Sequence, residues 1–335
     1  MTDKEEMSIE YIMTDKEVIM KQIRLKRPNL KASSINLYAG NIIKLNELYG
    51  NETFIGLKFL NDINEIKQIL APKTDNTQKN YYSSIVVVLN AFDIGDKIIK
   101  HYRRLIYDLQ IKYDTFRNTQ HKTPKQEANW VSYDELIIIM HRLRKQVKKE
   151  KLYELSKEQP LNNKQFNLFQ KLVVASLYLL EPDVNPPSRN DYSPMICIKD
   201  ELYRALDKEI KKKSNYLVVM SRNKKKFAFN NFKTAKAEVD NEEPVGSKLN
   251  ILLNQWLQIN TSGYLLLNSN REPLSSNGLT KFINTIFIET GKKVSTTQLR
   301  IAYASHRYSA DNQDKQNIAD KMKHSIDQQI GYIKK

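Results

Sequence analysis

The chain has 335 residues, 54 Lys and Arg against 38 Asp and Glu, a formal charge of +16, and only nine glycines and one cysteine. No two glycines lie two positions apart and none starts a P-loop ending in Gly-Lys-Ser/Thr, so nucleotide-cradling turns are excluded; the single Cys197 excludes an internal disulfide framework and any multi-cysteine zinc module. The longest apolar run, residues 172–180, is about half of the ~20 residues that a bilayer demands, and the polar, acidic opening Met1-Thr2-Asp3-Lys4-Glu5-Glu6 reads as neither a signal nor a transit peptide. The expectation is an intracellular, non-secreted protein with no membrane partner. Its surplus positive charge serves either general solubility or, the reading preferred here, a polyanion.

Residues 1–16 read as a tail, in which the string Met-Thr-Asp-Lys-Glu occurs at Met1 and again at Met13. Residues 17–118 read as a helical domain. Ser33 or Ser34 is expected to cap a helix running through Leu37, Tyr38, Ile42, Leu45 and Leu48, with Gly50 closing it. Asp75-Asn76-Thr77 opens a second helix, whose Tyr81, Ile85, Val88, Leu89 and Phe92 recur at three- and four-residue steps. A third, residues 96–109, interleaves Lys97, Lys100, Arg103 and Arg104 with Ile98, Ile99, Leu105 and Ile106. Those four charges fit a solvated face or a stripe that tracks a phosphate backbone.

Residues 119–128 read as a linker, and residues 129–335 as a second domain. Ser132 and Glu135 form a capping-box pattern ahead of Ile137, Ile138, Ile139 and Met140. Residues 166–180 predict an apolar helix. Residues 195–198, 216–220 and 226–229 predict strands, with Ser221-Arg222-Asn223-Lys224 as a turn and residues 263–267 as one more short strand. Helical patterns return at 249–257, 279–289, 297–308 and 313–322. The predicted class is mainly α with a small antiparallel sheet, an α+β order.

Four clusters in this second half carry the chemistry: Pro186-Pro187-Ser188-Arg189-Asn190-Asp191-Tyr192, Asn231-Phe232-Lys233-Thr234-Ala235-Lys236, Thr297-Gln298-Leu299-Arg300, and Lys323-His324 with Tyr332 eight positions after the histidine. Singly, each has an ordinary explanation. A lone arginine after two prolines is usually a surface ion-pair former, and Tyr332 is one of eighteen tyrosines. In order, they change meaning. Arg, Lys on a hairpin, Leu-Arg in a helix, Lys-His-Ser and then Tyr resembles the tyrosine recombinase (phage-integrase) family over residues 125–335, and the helical first half resembles that family's core-binding domain. The phrases Pro-Pro-Ser-Arg-Asn-Asp-Tyr and Asn-Phe-Lys-Thr-Ala resemble recombinases from viruses of eukaryotes and their satellite viruses.

That resemblance implies site-specific integrase chemistry on double-stranded DNA. A phosphodiester repels nucleophiles, and two planar guanidinium forks neutralise charge growing on the nonbridging oxygens. The resemblance gives this role to Arg189 and Arg300, attack on phosphorus to Tyr332, protonation of the departing 5′-oxygen to Lys233, and a phosphate hydrogen bond to His324. It implies no cofactor, no metal, a homo-tetramer on paired DNA sites, and a location wherever the target DNA lies, host nucleus or cytoplasmic virus factory.

Two positions depart from the family pattern. Thr297 stands three residues before Arg300, where His or Lys commonly helps accept the tyrosine proton, so either water or another group takes it or catalysis is weaker. His306, about 240° further round the helix from Arg300 at ~100° per residue, is badly placed to substitute. The acidic residue expected three after the first arginine is replaced by Asp191, two after it, as a buttress. Only Ile333, Lys334 and Lys335 follow the tyrosine, fewer than in many relatives. The alternatives are a type IB topoisomerase-like or resolvase activity with the same residues, and a DNA-binding protein that has lost catalysis.

Overall fold

Side-chain caps set many of the element boundaries in the computed structural model, which describes residues 14–54, 56–232, 242–307, 319, 321–323, 328 and 331–334. The chain divides into two units, residues 1–117 and 118–335. In the first, α1 (Asp15–Lys26) starts inside the segment expected to be a tail. The reason is the second copy of the repeated string. Thr14 accepts a hydrogen bond from the Glu17 amide, and the Glu17 carboxylate accepts one from the Thr14 amide at 2.8 Å, a capping box.

Next come α2 (Ala32–Leu48), α3 (Ile63–Leu70), α4 (Asp75–Ala91) and α5 (Asp96–Asn118). Neither Ser33 nor Ser34 caps α2, which begins two or three residues earlier than such a cap would place it; α4 opens at Asp75, as expected, with Thr74 capping it through the Thr77 amide. Ile19, Ile23, Ile35, Ile42, Leu45, Ile85, Val88 and Tyr102 form this unit's buried core. The Tyr102 hydroxyl, fully buried, donates to the Leu60 carbonyl at 2.8 Å.

The second unit begins with α6 (Pro124–Ala128), a short helix within the predicted linker that Thr123 and Gln126 cap reciprocally. It continues through α7 (Tyr133–Lys149), α8 (Leu152–Glu158) and α9 (Asn163–Leu179). Eleven of the seventeen α9 residues are buried, from Phe166 to Leu179, making it the unit's central helix. Its buried amide Gln170 donates to the Leu267 carbonyl at 2.8 Å and accepts from the Leu267 amide at 2.9 Å, which fixes the 265–267 stretch against it. Trp256 packs beside Phe166 and Phe169 of the same helix.

Then come β1 (Met195–Lys199), α10 (Asp200–Ala205), α11 (Lys208–Lys211), β2 (Asn215–Val219), β3 (Lys225–Phe229) and β4 (Glu242–Pro244). After them lie α12 (Ser247–Ile259), α13 (Ser276–Ile286) and α14 (Thr296–His306). The class is mainly helical with a small sheet, as predicted, and the sheet runs in the order β1-β2-β3-β4. It is mixed: β2, β3 and β4 pair antiparallel, whereas β1 pairs parallel with β2. Parallel neighbours need a crossover rather than a tight turn, and α10 with α11 supplies it. The 263–267 segment forms two isolated bridges, Tyr264 to Ile196 of β1 and Leu267 to Pro273, rather than a full strand.

Lys225 on β3 is 3% exposed; its ammonium donates to the Asn223 carbonyl at 3.1 Å and to Asn254 Oδ1. Burial pushes its pKa down to about 8, and burial pushes the Cys197 thiol up to about 12. The unfolded chain keeps the Lys225 proton up to the ordinary 10.5 and the folded chain only to about 8, so stability contributed by this group rises with pH between those values. Lys225→Met removes that rise. The stability of the variant relative to wild type, from urea melts, should fall by up to about 1.4 kcal/mol per pH unit between pH 8 and 10. In the first unit, Tyr102→Phe leaves the Leu60 carbonyl without this donor and should cost ~1–3 kcal/mol in the same measurement.

Candidate functional site

Arg189 sits in the connection between α9 and β1, and a ring of polar contacts fixes that connection. The Tyr178 hydroxyl of α9 donates to the Arg189 carbonyl at 3.0 Å. The Asn190 amide group donates to the Ser276 carbonyl and to Thr280 Oγ1 on α13. The Asn215 side chain of β2 donates to the carbonyls of Asp191 and Asn231, at 2.8 and 3.1 Å, and accepts from the Asn231 amide. Beneath them Tyr192 packs edge-on against Tyr178, Phe227 and Phe229, with centroids 5.2–5.8 Å apart. A loop bearing an arginine is thus bolted to a helix, a sheet and an aromatic floor.

Arg300 comes from the middle of α14, whose N-terminus Ser295 caps through the Gln298 amide. The Tyr303 hydroxyl ties this helix to the Pro182 carbonyl, just before the Arg189 loop. Arg300 is 1% exposed. Its Nη1 donates to the Tyr332 phenol oxygen at 2.8 Å, its Nη2 donates to the Met322 carbonyl at 3.3 Å, and its guanidinium lies 4.7 Å from the Tyr332 ring centroid. Arg189 reaches the same place from the other side. Its Nη1 donates to the Lys323 carbonyl at 2.9 Å and its Nη2 to Gln328 Oε1 at 3.1 Å, and Gln328 Nε2 donates to the Tyr332 phenol oxygen at 2.9 Å.

Three residues from positions 189, 300 and 332 therefore meet in one hydrogen-bonded group. Burial pushes the Arg300 guanidinium down to about 10, helped by the Arg189 charge and opposed by Tyr332 and Asp191, so it remains a cation at neutral pH. Asp191 lies among these cations. Burial raises its pKa, while Lys323, Arg189 and Arg300 lower it, and its Oδ2 is buried with no hydrogen-bond partner among the described residues.

Thr297 is exposed on α14, one turn before buried Arg300. His306 packs its ring on Tyr133 of α7, 4.9 Å between centroids, and its Nδ1 lies 3.9 Å from Asp134. Lys233 and His324 lie outside the described residues. In the other unit, Lys97, Lys100, Arg103 and Arg104 are all exposed on α5. Among the described residues, no group of three or more His, Cys, Asp or Glu is placed to hold a metal ion, and no helix is long and apolar enough to cross a membrane.

Sequence reasoning missed three residues of the site, Gln328, Ser305 and Glu243, and gave no role to Lys323, which stands beside His324 in one of the four clusters. Gln328, which joins Arg189 to the phenol, stands four positions before Tyr332, a one-turn spacing that offered a signal. Ser305 of α14 donates to the Tyr332 carbonyl at 3.2 Å and accepts from the Lys334 amide at 2.9 Å. Lys323, 7% exposed, places its ammonium 3.2 Å from Glu243 of β4 and 3.1 Å from the Phe229 ring centroid. Glu243 and Lys323 are eighty positions apart, and only the fold reveals that pair.

No protein-family model matches the chain, and no curated protein matches it. Among solved structures, the crystal structure of XerA recombinase aligns with 95% of this chain and 93% of its own, at 13% identity and a TM-score of 0.35. A likeness at that identity and score assigns neither family nor activity.

Proposed function

We propose that this protein is a site-specific DNA recombinase that cleaves and rejoins strands through a covalent 3′-phosphotyrosine on Tyr332. The observation that carries this reading is the Tyr332 phenol oxygen, held directly by Arg300 and, through Gln328, by Arg189. A candidate nucleophile lies between two forks of the kind that bind phosphodiester oxygens.

With a scissile phosphate seated there, the guanidinium groups neutralise charge growing on the nonbridging oxygens. The bond from the Tyr332 oxygen to phosphorus forms as the bond from phosphorus to the 5′-oxygen breaks. Lys233 donates a proton to that leaving oxygen, and with Thr297 neutral the phenol proton passes to water. Religation is the reverse attack by a 5′-hydroxyl. The phosphotyrosine ester retains the energy of the broken bond, so rejoining needs no added nucleotide. Residues 17–118 serve as the core-binding domain, with Lys97, Lys100, Arg103 and Arg104 on DNA phosphates, and strand exchange takes place in a tetramer on paired sites. The viral placement and an address beside the target DNA belong to the same proposal.

The test is covalent capture from a library of nicked duplexes with randomised cores, read as protein–DNA adducts under denaturing conditions. Wild type should form adducts whose sequences define the site. Tyr332→Phe should form none, and Arg189→Lys or Arg300→Lys should slow capture by ~10²–10³. Absence of wild-type adduct, or its persistence in Tyr332→Phe, overturns the proposal. Relaxation of supercoiled plasmid without exchange between paired sites reassigns the chemistry to a topoisomerase-like activity. Replacing Lys100 and Arg104 with Gln should reduce the slope of log affinity against log salt by about 1.8, at ~0.9 per phosphate contact.

A further inference from the structure

Both arginines of the site lean on one short stretch of backbone. Arg300 Nη2 donates to the carbonyl of Met322, and Arg189 Nη1 to the carbonyl of its neighbour Lys323. The separation and tilt of the two forks are therefore tied to where these successive carbonyls sit. Lys323 has a left-handed backbone, φ 56°, which is uncommon for an L-residue. Its side chain is 4% exposed and runs into the sheet, where the ammonium meets the Glu243 carboxylate and the face of Phe229, with the Phe232 ring centroid 5.8 Å away. β3 and β4 thus grip, through one ammonium, the backbone that aims both guanidinium groups.

We propose that Lys323 is a positioning residue for phosphate binding, which fixes the geometry of Arg189 and Arg300 through its ion pair with Glu243 and its seat on Phe229. This rests on the phosphate-binding reading of the site given above. Lys323 contacts no substrate itself. Its effect passes through the two carbonyls, and a displacement of about 1 Å at such a point costs up to ~10²-fold in rate. Replacement by Met keeps the bulk and the apolar contact but removes the charge and leaves the Glu243 carboxylate alone. It is therefore compared with the double variant Lys323→Met/Glu243→Leu, in which apolar side chains replace the whole pair, a change often neutral for stability. Geometry at the arginines and stability are thereby separable.

The experiment is titration of the full chain with orthovanadate, a phosphate mimic that adopts five-coordinate geometry, followed by vanadium NMR, beside single-turnover capture of duplexes recovered from the library. Wild type should bind vanadate, and both Arg189→Lys and Arg300→Lys should bind it more weakly. Lys323→Met should weaken it about tenfold or more and slow adduct formation at saturating duplex by a similar factor, with duplex affinity unchanged. Lys323→Arg, which retains the charge, should recover most of the loss, and Glu243→Gln should reproduce it. If Lys323→Met fails to fold, Lys323→Gly replaces it, since glycine accepts the left-handed backbone. Wild-type vanadate affinity in the folded Lys323 variants overturns the positioning role and leaves the phosphate site standing. Vanadate binding indifferent to both arginine variants overturns the phosphate site, and this inference with it.

Discussion

A guanidinium with 1% of its surface exposed has given up nearly all its water, and partners must replace that hydration. Arg300 obtains them from the Tyr332 phenol oxygen and the Met322 carbonyl, with the Asp191 charge nearby. Meeting this single demand organises much of the second unit. It requires α14 to be anchored at Tyr303, the Arg189 loop to be held by Tyr178 and Asn215, and the C-terminal segment to return to the same point. Two cations at close quarters repel, and the raised pKa of Asp191 shows that burial outweighs even the pull of Lys323, Arg189 and Arg300 on that carboxyl. The cluster is an electrostatic compromise, and a dianionic or monoanionic phosphate would relieve its excess positive charge.

The small sheet is the mechanical counterpart of that compromise. Its aromatic face, Phe227 and Phe229 with Tyr192, is the floor under the Arg189 loop, and its β4 edge contributes Glu243. The parallel pairing of β1 with β2, made possible by the α10–α11 crossover, brings Asn215 at the start of β2 opposite Met195, within reach of the Asp191 carbonyl. One asparagine then ties together the loop after α9 and the root of the β3–β4 connection at Asn231.

Much of this was legible in the sequence, and the limits have physical causes. Arg189, Arg300 and Tyr332 could be picked out because their residue types and order report chemistry, and the structure brings those three together. Helices with a clear apolar period, such as α4 and α9, were visible for the same reason that they are buried on one face or more. β4 was not: Glu242-Glu243-Pro244 has no apolar alternation, and it pairs because β3 offers it an edge. The capping box at Thr14 lies in a polar, repeated stretch, where a Thr-x-x-Glu spacing is common and carries little signal by itself. Glu243, Ser305 and the role of Lys323 became visible only when distant segments were folded together, since charge and hydroxyl groups are common and carry no signal until they find a partner.

Ser305 carries one more consequence. A single hydroxyl accepts from the Lys334 amide and donates to the Tyr332 carbonyl, so the backbone that follows the tyrosine is pegged to α14. With that backbone held, the phenol oxygen can still move by rotation about the side-chain bonds, an arc between staggered rotamers. Under the proposed function, the scissile phosphate would have to come within that arc, and the choice of which phosphodiester reacts would fall to whatever bends and registers the DNA.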